Sequence, residues 1–281
     1  MKRIGTIVMI VAIFLPLSFF AYAGDADGSI VAMSYNIRNS VSKDGTNSWE
    51  YRYPATALMI DDQKPDVIGI QEAVSSTQIE YLKYSFEKVY KIIGAGSEDG
   101  KKKGEVSAIM YNVKTLSPVK SGTFWISETP DVPSKGWDAT DYQTATWAIF
   151  KDKATGSRFL FITAKLDSEG VLSRQEGVKM IVEQLKGINT DSLPVIMAAD
   201  FNVEPGGKEF IPLKPEYSDA RTSAVITDEI ESFNGWGKMK KTVDYLWYKG
   251  FSCTKFETIT KAYYERNFIS DHYPVKAVFV F

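Results

Sequence analysis

The sequence predicts a layered α/β architecture built on stacked sheets, and three observations lead there. Apolar, β-rich runs punctuate the chain to its last residue, only a few amphipathic segments separate them, and no repeat, low-complexity tract or long linker interrupts the pattern. At 281 residues and 44% hydrophobic content the chain suffices for one large domain or two small ones.

The runs are SIVAMSYNI from Ser29, DVIGIQEA from Asp66, VSAIMYN from Val106, TATWAIF from Thr144, RFLFITAKL from Arg158, PVIMAADF from Pro194, VDYLWY from Val243 and VKAVFVF from Val275. Their β-branched and aromatic content marks them as buried strands. Three segments read as helices. One follows Ser168 as N-cap, with Val171, Val178, Ile181 and Leu185 on one face. A second runs from about Pro54 to Asp62 with proline in its first turn, and a third from roughly Ser76 to Phe86. Trp125, Trp147 and Trp247 lie in strand-like runs and are expected in the core. Cys253, the only cysteine, reads as a small apolar strand residue and permits no intrachain disulfide.

The first 23 residues combine Lys2 and Arg3, a short apolar run and the small-x-small pattern Ala21-Tyr22-Ala23, which together read as a secretory signal peptide. Pro16, Ser18 and the shortness of the run argue against a membrane anchor. The expected product is secreted or periplasmic, without a stable membrane span, and monomeric. Cleavage near Ala23 leaves 31 cations against 35 anions, a net charge of −4 with His272 neutral. Such a surface is poorly suited to coating polyanions. The one basic run, Lys101-Lys102-Lys103, is flanked by glycine and acids and reads as a solvated turn.

Polar side chains recur where apolar runs stop: Asn36, Glu72, Asp200 with Asn202, Asp244, and Asp271 with His272. A single acid at a strand end is ordinarily a turn former or cap. Several together form a coherent chemical set, because carboxylate and amide oxygens are hard ligands for Mg²⁺, Mn²⁺ or Ca²⁺. One histidine and one cysteine leave little room for a structural zinc site, and no GxSxG elbow is present. His272 alone titrates near neutrality without special tuning, so it is the natural general base, given a carboxylate to orient it.

The ordered motifs MSYNIR, PDVIGIQEA, MAADFN, VDYLWY and SDHYPV resemble the endonuclease/exonuclease/phosphatase superfamily, whose members include pancreatic deoxyribonuclease, abasic-site endonucleases, neutral sphingomyelinases and inositol polyphosphate 5-phosphatases. DGTNSWEYR, SKGWDAT, SRQEG and SFNGWG resemble a secreted bacterial branch of it. The resemblance spans about Ser29 to Phe281 and implies a single domain over 24–281, a four-layer α/β/β/α sandwich of two packed mixed β-sheets. It also implies phosphoester hydrolysis with a divalent metal, usually Mg²⁺. Carried over by position, Glu72 would ligate the metal, with Asn36 beside it on metal or phosphate and Asp271 next to it. Asp200 would position or activate water, Asn202 would bind phosphate, and His272, held by Asp244, would serve as base or phosphate contact.

Relatives carry Asn-Thr-His-Leu-Asp where this chain has Thr163-Ala164-Lys165-Leu166-Asp167, so Lys165 replaces a phosphate-contacting histidine. Ala199 and Gln143 also stand where relatives usually have Gly and Arg. Lys165 is read first as a substitute cation for the phosphate. The other readings are a degraded site in a slow enzyme or binding protein, and a solvated strand-end charge. Acidity and compact loops favour a small phosphorylated metabolite, sugar phosphate or lipid headgroup over nucleic acid, with a non-specific nuclease as the alternative. Trp137 and Trp236, beside loop glycines, could wall the substrate pocket.

Overall fold

All eight apolar runs become strands, and four more strands complete two six-stranded sheets in a computed structural model that describes residues 28–281. The leader read at residues 1–23 lies outside the described residues. In chain order the strands are β1 (Ser29–Asn36), β2 (Val67–Val74), β3 (Tyr90–Ile93), β4 (Glu105–Asn112), β5 (Leu116–Trp125), β6 (Thr144–Asp152), β7 (Arg158–Lys165), β8 (Val195–Asp200), β9 (Ser218–Asp219), β10 (Asp244–Lys249), β11 (Ser252–Thr258) and β12 (Val275–Val280). One sheet has the order β11-β12-β1-β2-β4-β3 and the other β5-β6-β7-β8-β10-β9. Both are mixed: β1 pairs parallel to β2, and β7 parallel to β8, among antiparallel neighbours.

Strand alternation sends one set of side chains between the sheets and the other outward. Ile30, Val67, Ile109, Phe150, Phe161 and Leu246 belong to the inter-sheet core. The outer face of the first sheet packs Met33, Ile68 and Met110 against α1 (Trp49–Gln63) and α2 (Glu80–Ser85). That of the second packs Ile162, Met197 and Trp247 against α3 (Val171–Ile188). Helix, sheet, sheet and helix therefore form four layers, and each layer exists because both faces of each sheet are apolar. Gly69 of β2 faces β7 and β8 of the other sheet at close range; a Cβ there would sit 2.6 Å from Thr163 Oγ1 and 3.0 Å from Ala198 Cβ.

The helix boundaries differ from expectation. α1 begins at Trp49, five residues before Pro54, which lies inside it. Burial of Trp49 and Arg52 outweighs the proline as a boundary signal. α3 is capped at Gly170, not Ser168, because Asp138 from an earlier loop accepts the backbone N–H groups of Leu172 (3.1 Å) and Ser173 (2.6 Å). Val171 consequently stays exposed, whereas Val178, Ile181 and Leu185 are buried. The segment expected as a third helix splits into a π-turn over Ser75–Ile79 and the short α2. β5 escaped the sequence reading because it is an edge strand, with Pro118 at a register shift and mostly polar, exposed residues. Trp125, Trp147, Trp247 and Cys253 are buried as expected. Among the described residues no helix is long and apolar enough to cross a membrane.

Candidate active site

Pairing register explains why residues far apart in sequence meet. Lys165, Asp200 and Asp244 face one another across β7, β8 and β10 as Cα partners in the ladder. From the other sheet, Asn36 ends β1 opposite Gln71 of the parallel β2. Asp271 and His272 come from the loop that leads into β12.

Glu72 reaches this cluster through a local irregularity. Strict alternation would send Gln71 and Glu72 to opposite faces of the sheet. The β2–β4 register instead shifts between Ile70 and Ala73, and Glu72 takes a left-handed conformation at φ 60°. Gln71 then points between the sheets, where its Nε2 donates to Thr163 Oγ1 (2.9 Å) and Ser34 Oγ (3.1 Å). Arg38, Asn202 and Trp236 share positive φ values of 55°, 49° and 60°. Backbone strain of this kind is held in place by surrounding structure and concentrates at sites.

Asn36 ties the two sheets together. Its Nδ2 donates to Glu72 Oε1 at 2.9 Å and to Asp200 Oδ2 at 2.8 Å, while its Oδ1 accepts from the Arg38 backbone N–H at 3.0 Å. That last bond fixes which end of the amide is which. His272 Nδ1 lies 2.8 Å from Asp244 Oδ2, and Phe233 packs on the ring at 4.8 Å between centroids. Lys165 Nζ lies 3.0 Å from Glu72 Oε1 and 3.5 Å from Glu105 Oε2.

These contacts set the charges. Burial would raise the Glu72 carboxyl, but Lys165, Asn36 and His272 hold it down to about 2. Burial, and then repulsion from Asp244, push Asp200 up to about 7 against the attraction of His272 and Lys165. The buried imidazole would lose its proton more easily, yet the Asp244 carboxylate and its hydrogen bond raise His272 to about 10. Burial likewise opposes the Lys165 ammonium and is outweighed by Glu72 and Glu105, so its pKa rises. Asp271 is raised chiefly by burial.

The other residues singled out from sequence hold definite places. Asp271 Oδ2 lies 3.6 Å from Arg38 Nε, and Glu72 Oε2 lies 3.9 Å from Arg38 Nη1, so a guanidinium stands between the two acids. Asn202 donates from Nδ2 to Leu166 O at 2.8 Å, and its backbone N–H reaches Asp200 Oδ1 at 3.0 Å. Trp236 lies over the Arg52 guanidinium, 5.4 Å from ring centroid to Cζ. Trp137 packs partly buried against the α3-side core. The Lys101–Lys103 turn is held by Asp99 Oδ1, which accepts all three backbone N–H groups.

Several contributors escaped the sequence reading. Arg38 closes the motif MSYNIR and Glu105 immediately precedes the run VSAIMYN, but nothing in a sequence pairs them with Glu72 and Lys165. Asp167 accepts from Thr140 N (2.8 Å), Gly170 N (2.8 Å) and Glu169 N (3.0 Å), tying the 138–143 loop to the turn after β7. Burial would raise its carboxyl, yet those N–H groups bring it down to about 2. Arg52, fully buried, donates to the carbonyls of Ile37, Arg38, Asn47 and Ile269 and so braces the chain just after Asn36 and just before Asp271.

One group among the described residues has the spacing to hold a metal ion: Asp200, Asp244 and His272 offer ligand atoms all within 4.8 Å of one another. Asp244 Oδ1 is buried there without a hydrogen-bond partner. An unsatisfied carboxylate oxygen in a low-dielectric site is costly unless a cation or donor meets it. Its two carboxylates are hard oxygen donors suited to a divalent cation, whereas Glu72, the ligand the resemblance implies, is not one of the three and is joined to Asp200 through the Asn36 amide.

No protein-family profile matches the chain. An uncharacterized protein of Acanthamoeba polyphaga mimivirus is 26% identical over 161 residues, and the chain spans 60% of that relative's length. Solved structures are more informative. A mannosyl-6-phosphatase of Bacteroides thetaiotaomicron VPI-5482 is 33% identical at a TM-score of 0.83, over 90% of this chain and all (100%) of that one. The human Nocturnin catalytic domain, at 18% identity and TM-score 0.71, covering 92% of this chain and 96% of that one, shares the fold. An endonuclease/exonuclease/phosphatase family protein from Bacteroides thetaiotaomicron is 33% identical at a TM-score of 0.84, over 90% of this chain and 98% of that one. This chain belongs to the endonuclease/exonuclease/phosphatase family.

Proposed function

We propose that the protein is a secreted, divalent-metal-dependent phosphoesterase that releases phosphate from a small phosphorylated molecule, with a sugar phosphate as the preferred class. The observation that carries the reading is the Asn36 amide, which joins Glu72 to Asp200 beside the His272–Asp244 pair. Glu72 from one sheet and Asp200 from the other thereby face a common space, with His272 beside them from the loop that leads into β12, and a hard cation, Mg²⁺ in this reading, would be shared there. Such a cation supplies charge neutralisation at the phosphoryl oxygens.

The chain's own groups do the rest. Asp200, held at about 7, is the carboxylate suited to take a proton from the attacking water near neutral pH. Asp244 keeps the buried imidazole in one orientation and stabilises its charged form, so His272 donates to the phosphoryl group. Lys165 stands in for the family histidine as a point-charge donor. Asn202 keeps one amide N–H beyond its bond to Leu166 for the phosphate, Asn36 uses both of its own to hold Glu72 and Asp200 in place, and Trp236 offers an apolar wall for the alcohol that leaves.

Support for a sugar phosphate comes from the acidic surface and from the 33% identity to a mannosyl-6-phosphatase. Secretion is supported by the leader sequence. The test is a phosphate-release screen of hexose phosphates, nucleotides, phospholipid headgroups and single-stranded DNA, with Mg²⁺ and with chelator. Chelator-sensitive release from hexose phosphates is expected. Ligand capture without turnover would instead make the protein a binding module, and cleavage of DNA alone would make it a nuclease.

A further inference from the structure

We infer that Lys165 is a displaceable internal counter-ion: its ammonium occupies Glu72 until a divalent cation takes that carboxylate, and then moves to Glu105. The inference rests on the metal-dependent reading above and concerns how this chain admits the ion.

Glu72 already has partners at both oxygens. Its Oε1 accepts from Asn36 Nδ2 at 2.9 Å and from Lys165 Nζ at 3.0 Å. Its Oε2 accepts from the Asn39 backbone N–H at 3.4 Å and faces Arg38 Nη1 at 3.9 Å. A Mg²⁺ or Mn²⁺ ion approaches a carboxylate oxygen to about 2 Å. An ammonium left on the same oxygen would stand within about 5 Å of it, and like charges that close in a buried site repel strongly. One of the two side-chain cations must therefore yield.

Their anchoring decides which. The Arg38 guanidinium is clamped to Asp44 by two bonds, Nε to Oδ2 at 3.0 Å and Nη2 to Oδ1 at 3.2 Å. Lys165 ends in a single rotatable ammonium on a flexible stem. A second acceptor already waits 3.5 Å away at Glu105 Oε2. Glu105 in turn is oriented by Asn39 Nδ2, which donates to its Oε1 at 2.8 Å and leaves Oε2 for the lysine. Asn39 thus touches both of the carboxylates between which the ammonium would move. A small rotation of the Lys165 terminus exchanges partners without leaving the charge unpaired. The displaced ammonium stays within the site, where a phosphate would meet it.

The test is calorimetric titration of the intact protein with Mn²⁺ in the absence of substrate. Lys165→Met is expected to bind Mn²⁺ at least tenfold more tightly than wild type, a difference of about 1.4 kcal/mol. Glu105→Gln, which removes the charge that receives the ammonium, is expected to bind several-fold more weakly. Lys165→Gln, which removes the charge but keeps a shorter polar donor, serves if the methionine variant does not fold. Arg38→Met is the charge control and should gain much less than Lys165→Met. Equal Mn²⁺ affinity in wild type and Lys165→Met, or an equal gain from Arg38→Met, would overturn the displacement while leaving the phosphoesterase reading intact. Absence of Mn²⁺ binding in wild type and Lys165→Met alike would overturn it together with the metal dependence on which it rests.

Discussion

Replacing Asp244 with asparagine isolates the electrostatic half of the site. The carboxylate is 1% exposed and lies 2.8 Å from His272 Nδ1, and it is the strongest influence favouring the charged ring. The rise of His272 from 6.5 to about 10 corresponds to a preference for the imidazolium on the order of 5 kcal/mol. Asparagine keeps the shape and removes the charge. Burial is then opposed only by the weaker pull of Asp200 and Asp271, and the ring gives up its proton more easily. Loss of one charged donor to the phosphoryl group costs roughly 10²- to 10³-fold in kcat, and about 10⁴-fold if the imidazole also changes tautomer. KM should change little, because the interaction strengthens in the transition state. Two assays read this together: steady-state phosphate release with Mg²⁺, and an NMR titration of the chelated protein, in which the single histidine gives an unambiguous signal. The expected results are a large fall in kcat and a histidine that titrates well below its position in the wild type. A kcat within threefold of wild type, or a histidine that titrates unchanged, would refute the reasoning.

Three further outcomes follow from the geometry. Gly69→Ala inserts a methyl group 2.6 Å from Thr163 Oγ1 and should cost about 1–3 kcal/mol by overpacking, read as a lowered midpoint in urea. Arg52→Leu strands four backbone carbonyls and removes the cation between Trp49 and Trp236, so stability should fall by more than about 3 kcal/mol in the same assay. Metal-free protein should lose stability as pH rises. His272 binds its proton more tightly folded than unfolded, so its contribution is complete below 6.5 and disappears toward about 10. Asp200, raised from 3.8 to about 7, acts in the same direction across its own window. Glu72 and Asp167, both depressed to about 2, act oppositely: their contribution is complete above the ordinary carboxylate range and is lost as pH falls toward 2. Thermal midpoints of chelated protein across pH 3–10 should therefore peak in mild acid, and the alkaline decline should flatten in Asp244→Asn.

The strands were legible because buried sheets demand continuous apolar runs, and the site was legible because each run ends in a polar residue of one chemical kind. Asp200 and Asp244 illustrate this: each lies at the end of a run, and register alone brings them together. Glu72 was visible as a residue, but its orientation depends on a bulge that the letters QEA do not announce. Arg38, Glu105 and Asp167 were missed for a different reason. Their importance lies in partners 34 to 60 residues away or in loop amides, and no periodicity encodes such contacts. α1 was truncated because a proline outweighs its surroundings locally, whereas burial of Trp49 and Arg52 is a tertiary effect.

The most direct test of the central claim is phosphate release from a hexose 6-phosphate, measured for wild type with Mg²⁺, wild type with excess chelator, and Asp200→Asn with Mg²⁺. Release by the first alone is the expected result, with the other two reduced by at least a hundredfold. Equal release in all three would show that neither a divalent cation nor the Asp200 carboxylate takes part in the chemistry.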